Sequence, residues 1–307
     1  MKIFISGVAG FIGSNLASAH LLAGDEVVGL DNLCTGQKRN LEGLDGLKFI
    51  EANLMDARDL LPDYVDVVYH FASPASPEKY IAQPVNTMDV NTLGTRMLLE
   101  HSLEVGARFV FASTSEVYGD PLESPQREEY WGNVNPIGPR SVYDEAKRFG
   151  ETLVAHFQRE HKANAGIIRI FNTYGPNMDP YDGRVVSTFL RQALLGEPLT
   201  IFGTGLQTRS FCFIDDLVNG IRKMGETDHP GPINLGNPEE RTLLDLASQV
   251  LDITNSSSAI SHMELPRDDP KQRKPDISRA QKVLGWVPTV GIRAGLESTA
   301  LWIKKQI

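Results

Sequence analysis

A phenol and an amine stand four residues apart in the middle of this chain, at Tyr143 and Lys147. On a helix this spacing places both side chains on one face, one turn apart. Because a nearby ammonium group stabilises a phenolate, the pair predicts a tyrosine whose pKa falls from about 10 towards neutrality, so that it can act as a base. The earlier tract 114–116 adds the hydroxyl of Thr114 and the carboxylate of Glu116 as partners for this chemistry.

A second pattern lies at the N-terminus, where the apolar run 2–6 leads into SGVAGFIG at 6–13. In a strand–turn–helix unit, Gly7 permits the tight turn, Gly10 lets the backbone approach a pyrophosphate, and Gly13 lets the helix pack closely on its strand. The helix, expected from Phe11 to position 22, directs free N–H groups at the phosphates. The pattern predicts a dinucleotide site.

Asp31 closes the next predicted strand, 26–30. A carboxylate there accepts hydrogen bonds from both ribose hydroxyls of an adenosine and repels a 2′-phosphate, so NAD is favoured over NADP. Lys38 and Arg39 weaken this preference, because an NADP site needs a nearby cation. The residues predicted to bind the cofactor are Gly7, Gly10, Phe11, Ile12, Gly13, Asp31, Asn32, Thr35, Gly36, Asn53, Leu54, Ala72, Ser73, Tyr143 and Lys147.

Strands and helices alternate in the elements that must position these groups. Short β-rich runs separated by helical patterns are typical of the α/β class with a doubly wound parallel (Rossmann) sheet. Such sheets bind ligands at the carboxyl ends of their strands, where Ala72, Ser73 and Thr114 fall. Further strands are predicted at 47–51, 65–71, 108–113 and 166–171, and long helices at 86–104 and 141–161.

Glycine, proline and asparagine become frequent after Asn172, which predicts a smaller, mixed C-terminal lobe. We expect 1–172 and 211–237 to form the NAD-binding domain, with 211–224 and 233–235 continuing its sheet. The substrate-binding lobe is then 173–210 together with 238–307.

The composition is that of an ordinary globular protein, with 307 residues, 41% hydrophobic and 22% charged. A formal net charge of −9 argues against nucleic acid and anionic membrane surfaces as partners. No apolar stretch is long enough to span a bilayer, so no membrane association is expected. With two cysteines, the chain fits a reducing, cytoplasmic compartment. Because histidine and cysteine are too few in suitable clusters, no metal site is expected.

Together, SGVAGFIG, Tyr143 and Lys147 resemble the extended short-chain dehydrogenase/reductases. Within that family, TSEVYGD at 114–120, YWGNVNPIGPR at 130–140 and DDPKQRKPD at 268–276 are similar to the UDP-glucuronate decarboxylases, also called UDP-xylose synthases. The resemblance covers almost the whole chain.

The resemblance implies an internal redox cycle on UDP-glucuronate, with NAD regenerated in each turnover. Tyr143 takes the proton of the sugar 4-hydroxyl, and Lys147 lowers the tyrosine pKa and holds the nicotinamide ribose. The 4-ketone then permits loss of carbon dioxide, while Thr114 and Tyr143 donate hydrogen bonds to O4. Glu116 is expected to be an acid/base or a ring-positioning residue, and the product is UDP-xylose.

The anionic substrate needs local cations. Guanidinium groups match phosphate and carboxylate oxygens in bidentate fashion, so Arg184, Arg209 and Arg273 are the candidates. Ser115 and Asn172 complete the predicted substrate set.

Rival functions stay open at this point. A nucleotide-sugar 4,6-dehydratase or 4-epimerase of the same family starts with the same oxidation, and GDP-mannose dehydratases share the Thr-Ser-Glu tract. A non-catalytic NAD-binding regulatory protein is the rival from another class. The sequence also leaves open whether the 4-keto pentose is released, and whether the nucleotide is uridine or thymidine.

The resemblance also suggests a homodimer, in which helices 86–104 and 141–161 pair with their copies in a four-helix interface. The apolar residues Leu93, Leu98 and Phe157 are the candidate contacts.

Overall fold

The computed structural model describes residues 1–264 and 272–307. Within these residues, short apolar runs of the sequence form the strands. The strands are β1 (Lys2–Ser6), β2 (Glu26–Asp31), β3 (Lys48–Glu51), β4 (Val67–His70), β5 (Arg108–Thr114), β6 (Ala165–Ile170), β7 (Thr173–Tyr174), β8 (Leu199–Phe202), β9 (Thr208–Ser210), β10 (Cys212–Phe213), β11 (Ile233–Leu235), β12 (Glu240–Thr242), β13 (Ile260–Met263) and β14 (Gln272–Arg273).

Helices follow most of these strands. They are α1 (Phe11–Leu22), α2 (Pro77–Ala82), α3 (Pro84–Val105), α4 (Ser141–Glu160), α5 (Val185–Leu195), α6 (Ile214–Gly225), α7 (Leu243–Thr254), α8 (Ser278–Leu284) and α9 (Ile292–Lys304). None of these described helices is both long enough and apolar enough to cross a membrane.

The central sheet has seven parallel strands in the order β11-β6-β5-β4-β1-β2-β3. The order reverses at β1, which is the doubly wound arrangement that the alternating sequence predicts. The predicted strands and the two long helices are confirmed to within about two residues, the usual uncertainty at element ends. The strands of this sheet that carry predicted site residues at their carboxyl ends therefore bring them to one edge.

Two apolar cores lie on the two faces of this sheet, because successive strand side chains point to opposite sides. On one face, Phe4 and Phe111 pack with Leu98 of α3 and Phe157 of α4. On the other, Ile3 and neighbouring residues join a larger core that reaches α5, α7 and α9. This larger core ties the sheet to the later part of the chain.

The burial of Leu98 and Phe157 corrects the predicted dimer contacts. Leu98 is fully buried and Phe157 nearly so, both inside the chain's own core. Of the three predicted contacts, Leu93 alone is exposed, with 54% of its surface accessible to another molecule. An amphipathic helix pattern reveals an apolar face but cannot distinguish an internal partner from an external one.

The prediction for 211–224 and 233–235 is right in one part and wrong in the other. Ile233–Leu235 pairs in parallel with β6 and extends the central sheet, as expected. Cys212–Phe213 instead pairs with Thr173–Tyr174 in a separate two-stranded sheet, and Ile214–Gly225 is a helix packed against α1. Two further small sheets, β12-β9-β14 and β13-β8, lie outside the central one. Positions 268–271 of the tract 268–276 lie outside the described residues.

Candidate active site

The glycine turn joins β1 to α1 through close backbone contacts. Gly7 has a φ of +80°, and a Cβ there would lie 2.6 Å from the backbone nitrogen of Ala72. A Cβ on Gly13 would lie 2.1 Å from the carbonyl oxygen of Gly7. Gly10 caps α1 without a side-chain hydrogen bond, so the N–H groups of the first turn point outwards for an anion.

We expect Gly13→Ala to lower the free energy of unfolding by about 3 kcal/mol, because the new methyl group meets a backbone oxygen that cannot move without opening the turn. Thermal unfolding followed by circular dichroism measures the change. Gly291→Ala is the matched control, since Gly291 precedes α9 with a φ of −66° and open space around it. Equal losses of stability in both variants would contradict the prediction.

Asp31 lies at the end of β2, buried against the glycine turn. Its carboxylate accepts hydrogen bonds from the backbone N–H groups of Ala9 (2.9 Å) and Leu33 (2.8 Å). Burial raises the pKa of Asp31. A Cβ on Gly36 would lie 2.8 Å from this carboxylate, so the glycine leaves room beside it. A cradle of this shape around a carboxylate fits the adenosine end of a dinucleotide.

A cleft along the carboxyl edge connects Asp31 with the glycine turn. Residues that the sequence analysis predicted contribute most of its lining: Gly7, Gly10, Asp31, Asn32, Thr35, Gly36, Asn53, Leu54, Ala72 and Ser73. The sequence analysis missed Cys34 and Asn86, which also line it. Asn53 uses its side-chain oxygen to cap its own helical turn at Met55.

Tyr143 and Lys147 occupy one face of α4, as their spacing predicts. The ammonium nitrogen of Lys147 lies 5.8 Å from the centre of the Tyr143 ring and donates a hydrogen bond of 2.7 Å to the carbonyl of Ala112. Burial lowers the pKa of Lys147 to about 7, although the charge of Glu151 opposes this. The lysine therefore titrates in the working range of an enzyme.

The expected fall of the Tyr143 pKa is wrong for the chain by itself. Burial is the largest influence and raises the pKa of this phenol, while the hydrogen bond with Thr114 and the charge of Arg184 lower it. A phenolate in an apolar setting loses the solvation that water supplies. The sequence pattern reveals the neighbouring amine but not the degree of burial.

Thr114 is the last residue of β5, and Glu116 lies two residues further on, in the helical turn that follows. The Thr114 hydroxyl accepts a hydrogen bond from the backbone of Glu116 at 3.2 Å. The Glu116 carboxylate contacts Arg140 at 2.5 Å and Arg273 at 3.2 Å, and Arg273 also bonds to the carbonyl of Ser115. Burial raises the pKa of Glu116, but Arg273 and Arg140 outweigh it and hold the pKa below its ordinary value. Glu116 is a carboxylate at neutral pH.

Two residues near the site were missed by the sequence analysis. Arg140 is the N-cap residue of α4, three residues before Tyr143, and this spacing, which places both on one helix face, could have revealed it. Tyr80 of α2 stacks on the Tyr143 ring, with centroids 4.9 Å apart and planes 4° from parallel. Its buried hydroxyl has no hydrogen-bond partner within the described part of the chain. No local pattern identifies Tyr80, because the contact spans more than sixty positions.

Three further residues were predicted to bind the substrate, Arg184, Arg209 and Asn172. Arg184 precedes α5, forms a two-bond ion pair with Asp182 and acts electrostatically on Tyr143. Arg209 lies on β9 directly opposite Arg273 of β14 and lowers the pKa of Glu116. Asn172 is half-buried between β6 and β7.

A doubly wound sheet with a tyrosine–lysine pair at its carboxyl edge defines an extended short-chain dehydrogenase/reductase. The model of the NAD dependent epimerase/dehydratase family matches residues 3–236. The chain belongs to this family.

Relatives and solved structures agree with this family. UDP-glucuronic acid decarboxylase 5 of Arabidopsis thaliana is 51% identical over 298 residues, covering 96% of this chain and 87% of the relative. UDP-glucuronic acid decarboxylase 1 of Xenopus tropicalis is 45% identical over 306 residues, covering 100% and 73%. The UDP-glucuronic acid 4-epimerase of Bacillus cereus, solved with UDP-glucuronic acid and NAD, aligns over 100% of both chains with a TM-score of 0.89 and 32% identity. The resemblance to the decarboxylases is confirmed.

Proposed function

We propose that the protein converts UDP-glucuronate to UDP-xylose and carbon dioxide, using bound NAD and returning the hydride within each turnover. The observation that carries this proposal is the 51% identity, over 96% of the chain, with a protein named UDP-glucuronic acid decarboxylase. The juxtaposition of Tyr143 and Lys147 with Glu116 and Arg273 supports it. NAD is the cofactor named by the family.

Each residue has a defined task in this proposal. Tyr143, as a phenolate, takes the proton of the sugar 4-hydroxyl, and Lys147 stabilises that phenolate. NAD, when bound, supplies the hydride acceptor for C4 and a positive charge beside the phenol. Thr114 and Tyr143 then donate hydrogen bonds to O4, which stabilises the enolate left when the C5–C6 bond breaks and carbon dioxide departs. Protonation at C5 by a proton from solvent, return of the hydride to C4 and return of the Tyr143 proton to O4 would give UDP-xylose and restore the phenolate.

Glu116 acts as a base or ring-positioning group in this scheme. Two guanidinium groups hold it ionised, so it carries no proton to give in its resting state. Arg273 supplies positive charge next to it, together with Arg209 and Arg184 for the diphosphate. Ser115 and Asn172 complete the substrate site, and 173–210 with 238–307 form the sugar-nucleotide lobe around it.

Incubation of the purified protein with UDP-glucuronate and NAD tests the function. Carbon dioxide release and NMR of the product distinguish the candidates. UDP-xylose without net NADH is the expected result. A 4-keto pentose with NADH would mean that the intermediate escapes. A C4-inverted uronic acid with its carboxylate intact would establish a 4-epimerase. This is the second candidate function, because the chain is similar to the UDP-glucuronic acid 4-epimerase of Bacillus cereus.

Asp31→Asn should lower the affinity for NAD about 10-fold or more, because a charged hydrogen-bond acceptor contributes about 1.5–3 kcal/mol. NADP should be affected much less, so the preference for NAD shrinks. Calorimetric titration with each dinucleotide measures both affinities. Glu51→Gln, at the exposed end of the next strand, is the matched control. An unchanged NAD affinity in Asp31→Asn would exclude this role of the carboxylate.

A cytoplasmic homodimer is the proposed state of the protein. Leu93 and Leu103 of α3 and Phe149 of α4 are exposed apolar side chains on the two helices proposed to pair. Sedimentation that finds only monomer at micromolar concentration would refute the dimer.

A further inference from the structure

Three side-chain contacts join α4 to the end of β5. Thr114 bonds to Tyr143, the carbonyl of Ala112 accepts from Lys147 at 2.7 Å, and Ser113 donates to Glu151 at 2.6 Å. Successive residues of β5 thus meet residues of α4 that are spaced one helical turn apart. Glu151 is the member of this series to which the proposed function gives no task.

We propose that Glu151 is a positioning residue that keeps Lys147 an ammonium ion and holds α4 in register on β5. The inference rests on the proposed function in one respect, because the charged Lys147 matters there for the Tyr143 phenolate. The placement of the carboxylate itself depends only on contacts within the chain.

Bonds from two other elements hold the Glu151 carboxylate. Arg169 of β6 donates to both of its oxygens, at 2.8 Å and 2.7 Å, while Ser113 donates from β5. Both partners of the ion pair are mostly buried, at 11% and 15% exposure. A carboxylate held by three bonds cannot rotate towards solvent, so its charge stays at one position beside Lys147.

The other groups around Lys147 do not supply a negative charge. From β5 it meets the Phe111 ring, 5.0 Å away, and the Ala112 carbonyl. From β4 it faces His70, which burial keeps neutral by lowering its pKa to about 3. On its own helix its neighbours are Tyr143 and Glu151, and the charge of Glu151 raises the pKa of Lys147 against the effect of burial.

The chemical consequence follows from the sign of this interaction. An ammonium group beside Tyr143 stabilises the phenolate, whereas a neutral amine does not. Without the Glu151 charge, Lys147 loses its proton at a lower pH. The rate of sugar oxidation then declines at a lower pH as well.

The test measures Lys147 directly in the protein without substrate. NMR of protein with labelled lysine side-chain carbon, in which the Lys147 signal is the one lost in Lys147→Met, gives its titration. We expect Glu151→Gln to lower the pKa of Lys147 by about one unit. Ser113→Ala removes a hydrogen bond but no charge, so the pKa of Lys147 should stay at its wild-type value. Glu151→Asp keeps the negative charge, so the pKa of Lys147 should stay close to that value as well. An unchanged titration in Glu151→Gln would overturn the proposal.

Single-turnover reduction of NAD by UDP-glucuronate, followed by NADH absorbance against pH, tests the consequence. In Glu151→Gln the alkaline decline should begin about one pH unit lower, a loss of about 10-fold at alkaline pH, while UDP binds as before. A uniform loss, equal to that of Ser113→Ala at every pH, would show a merely structural role. If Glu151→Gln does not fold, the double variant Glu151→Gln/Arg169→Gln leaves no unpaired buried charge and serves the same comparison. Absence of carbon dioxide release by the wild type would refute the proposed function, not the Lys147 titration.

Discussion

Tyr143→Phe is expected to reduce the rate of sugar oxidation by about 1,000-fold, the range that general acid–base catalysis contributes. The substitution removes the one oxygen placed to take the 4-hydroxyl proton and keeps the ring, so the stack on Tyr80 at 4.9 Å survives. Stability should change little, because burial keeps the phenol neutral in the folded protein, so the substitution removes no charge, and the ring contacts remain. NADH formation in a single turnover with UDP-glucuronate measures the effect.

The matched control is Tyr64→Phe, which removes an exposed phenol that bonds to Asp66 far from the cleft. It should react like the wild type. UDP affinity should also be equal in all three proteins, since Tyr143 is not a ligand of the diphosphate in the proposed scheme. A Tyr143→Phe protein that keeps more than about a tenth of the rate would require another base. A non-catalytic NAD-binding regulatory protein would be favoured if the wild type itself released no carbon dioxide from UDP-glucuronate.

Local spacing explains why so much of this site was predictable. The glycine turn and α1 depend on residues within one short segment, and Gly7 has the positive φ that the pattern requires. Tyr143 and Lys147 share a face because helix geometry alone places them there. Thr114 lies at the ligand-binding edge because it ends β5, and the carboxyl ends of strands in a parallel sheet meet at that edge.

Contacts between distant segments were not predictable in the same way. Tyr80 reaches Tyr143, and Arg273 reaches Glu116, across long stretches of chain. Arg273 was found only because its tract resembles a family motif, whereas Tyr80 carries no such mark. Burial is also a property of the whole fold, which is why the pKa of Tyr143 moved opposite to the expectation and why Leu98 proved to be a core residue.

The burial of Lys147 exposes a conflict between function and stability. Its ammonium group is nearly inaccessible to solvent, and burial disfavours the charged form, which lowers the pKa to about 7. A pKa difference of one unit corresponds to about 1.4 kcal/mol. A charged lysine in this position therefore lowers the free energy of unfolding at neutral pH. In the proposed function its benefit is catalytic, because the ammonium group stabilises the Tyr143 phenolate.

Lys147→Met should for this reason change activity and stability in opposite directions. We expect the rate of NADH formation to fall by about 100-fold or more, because the phenolate loses its ammonium partner. At pH 7 we expect the free energy of unfolding to rise by about 2 kcal/mol, a gain reduced by the lost bond to Ala112. Chemical denaturation and single-turnover absorbance measure the two quantities.

The pH dependence provides the decisive control for this variant. Between the folded pKa of about 7 and the unfolded value of 10.5, the unfolded wild type binds a proton that the folded protein does not. The free energy of unfolding of the wild type therefore rises as the pH increases across that window, and it falls as the pH decreases towards 7. The methionine variant lacks the titration, so its advantage should be largest at pH 7 and below and should shrink towards pH 10. A variant less stable than the wild type at pH 7, or with a constant difference across the window, would contradict the burial of a titrating amine beside Tyr143.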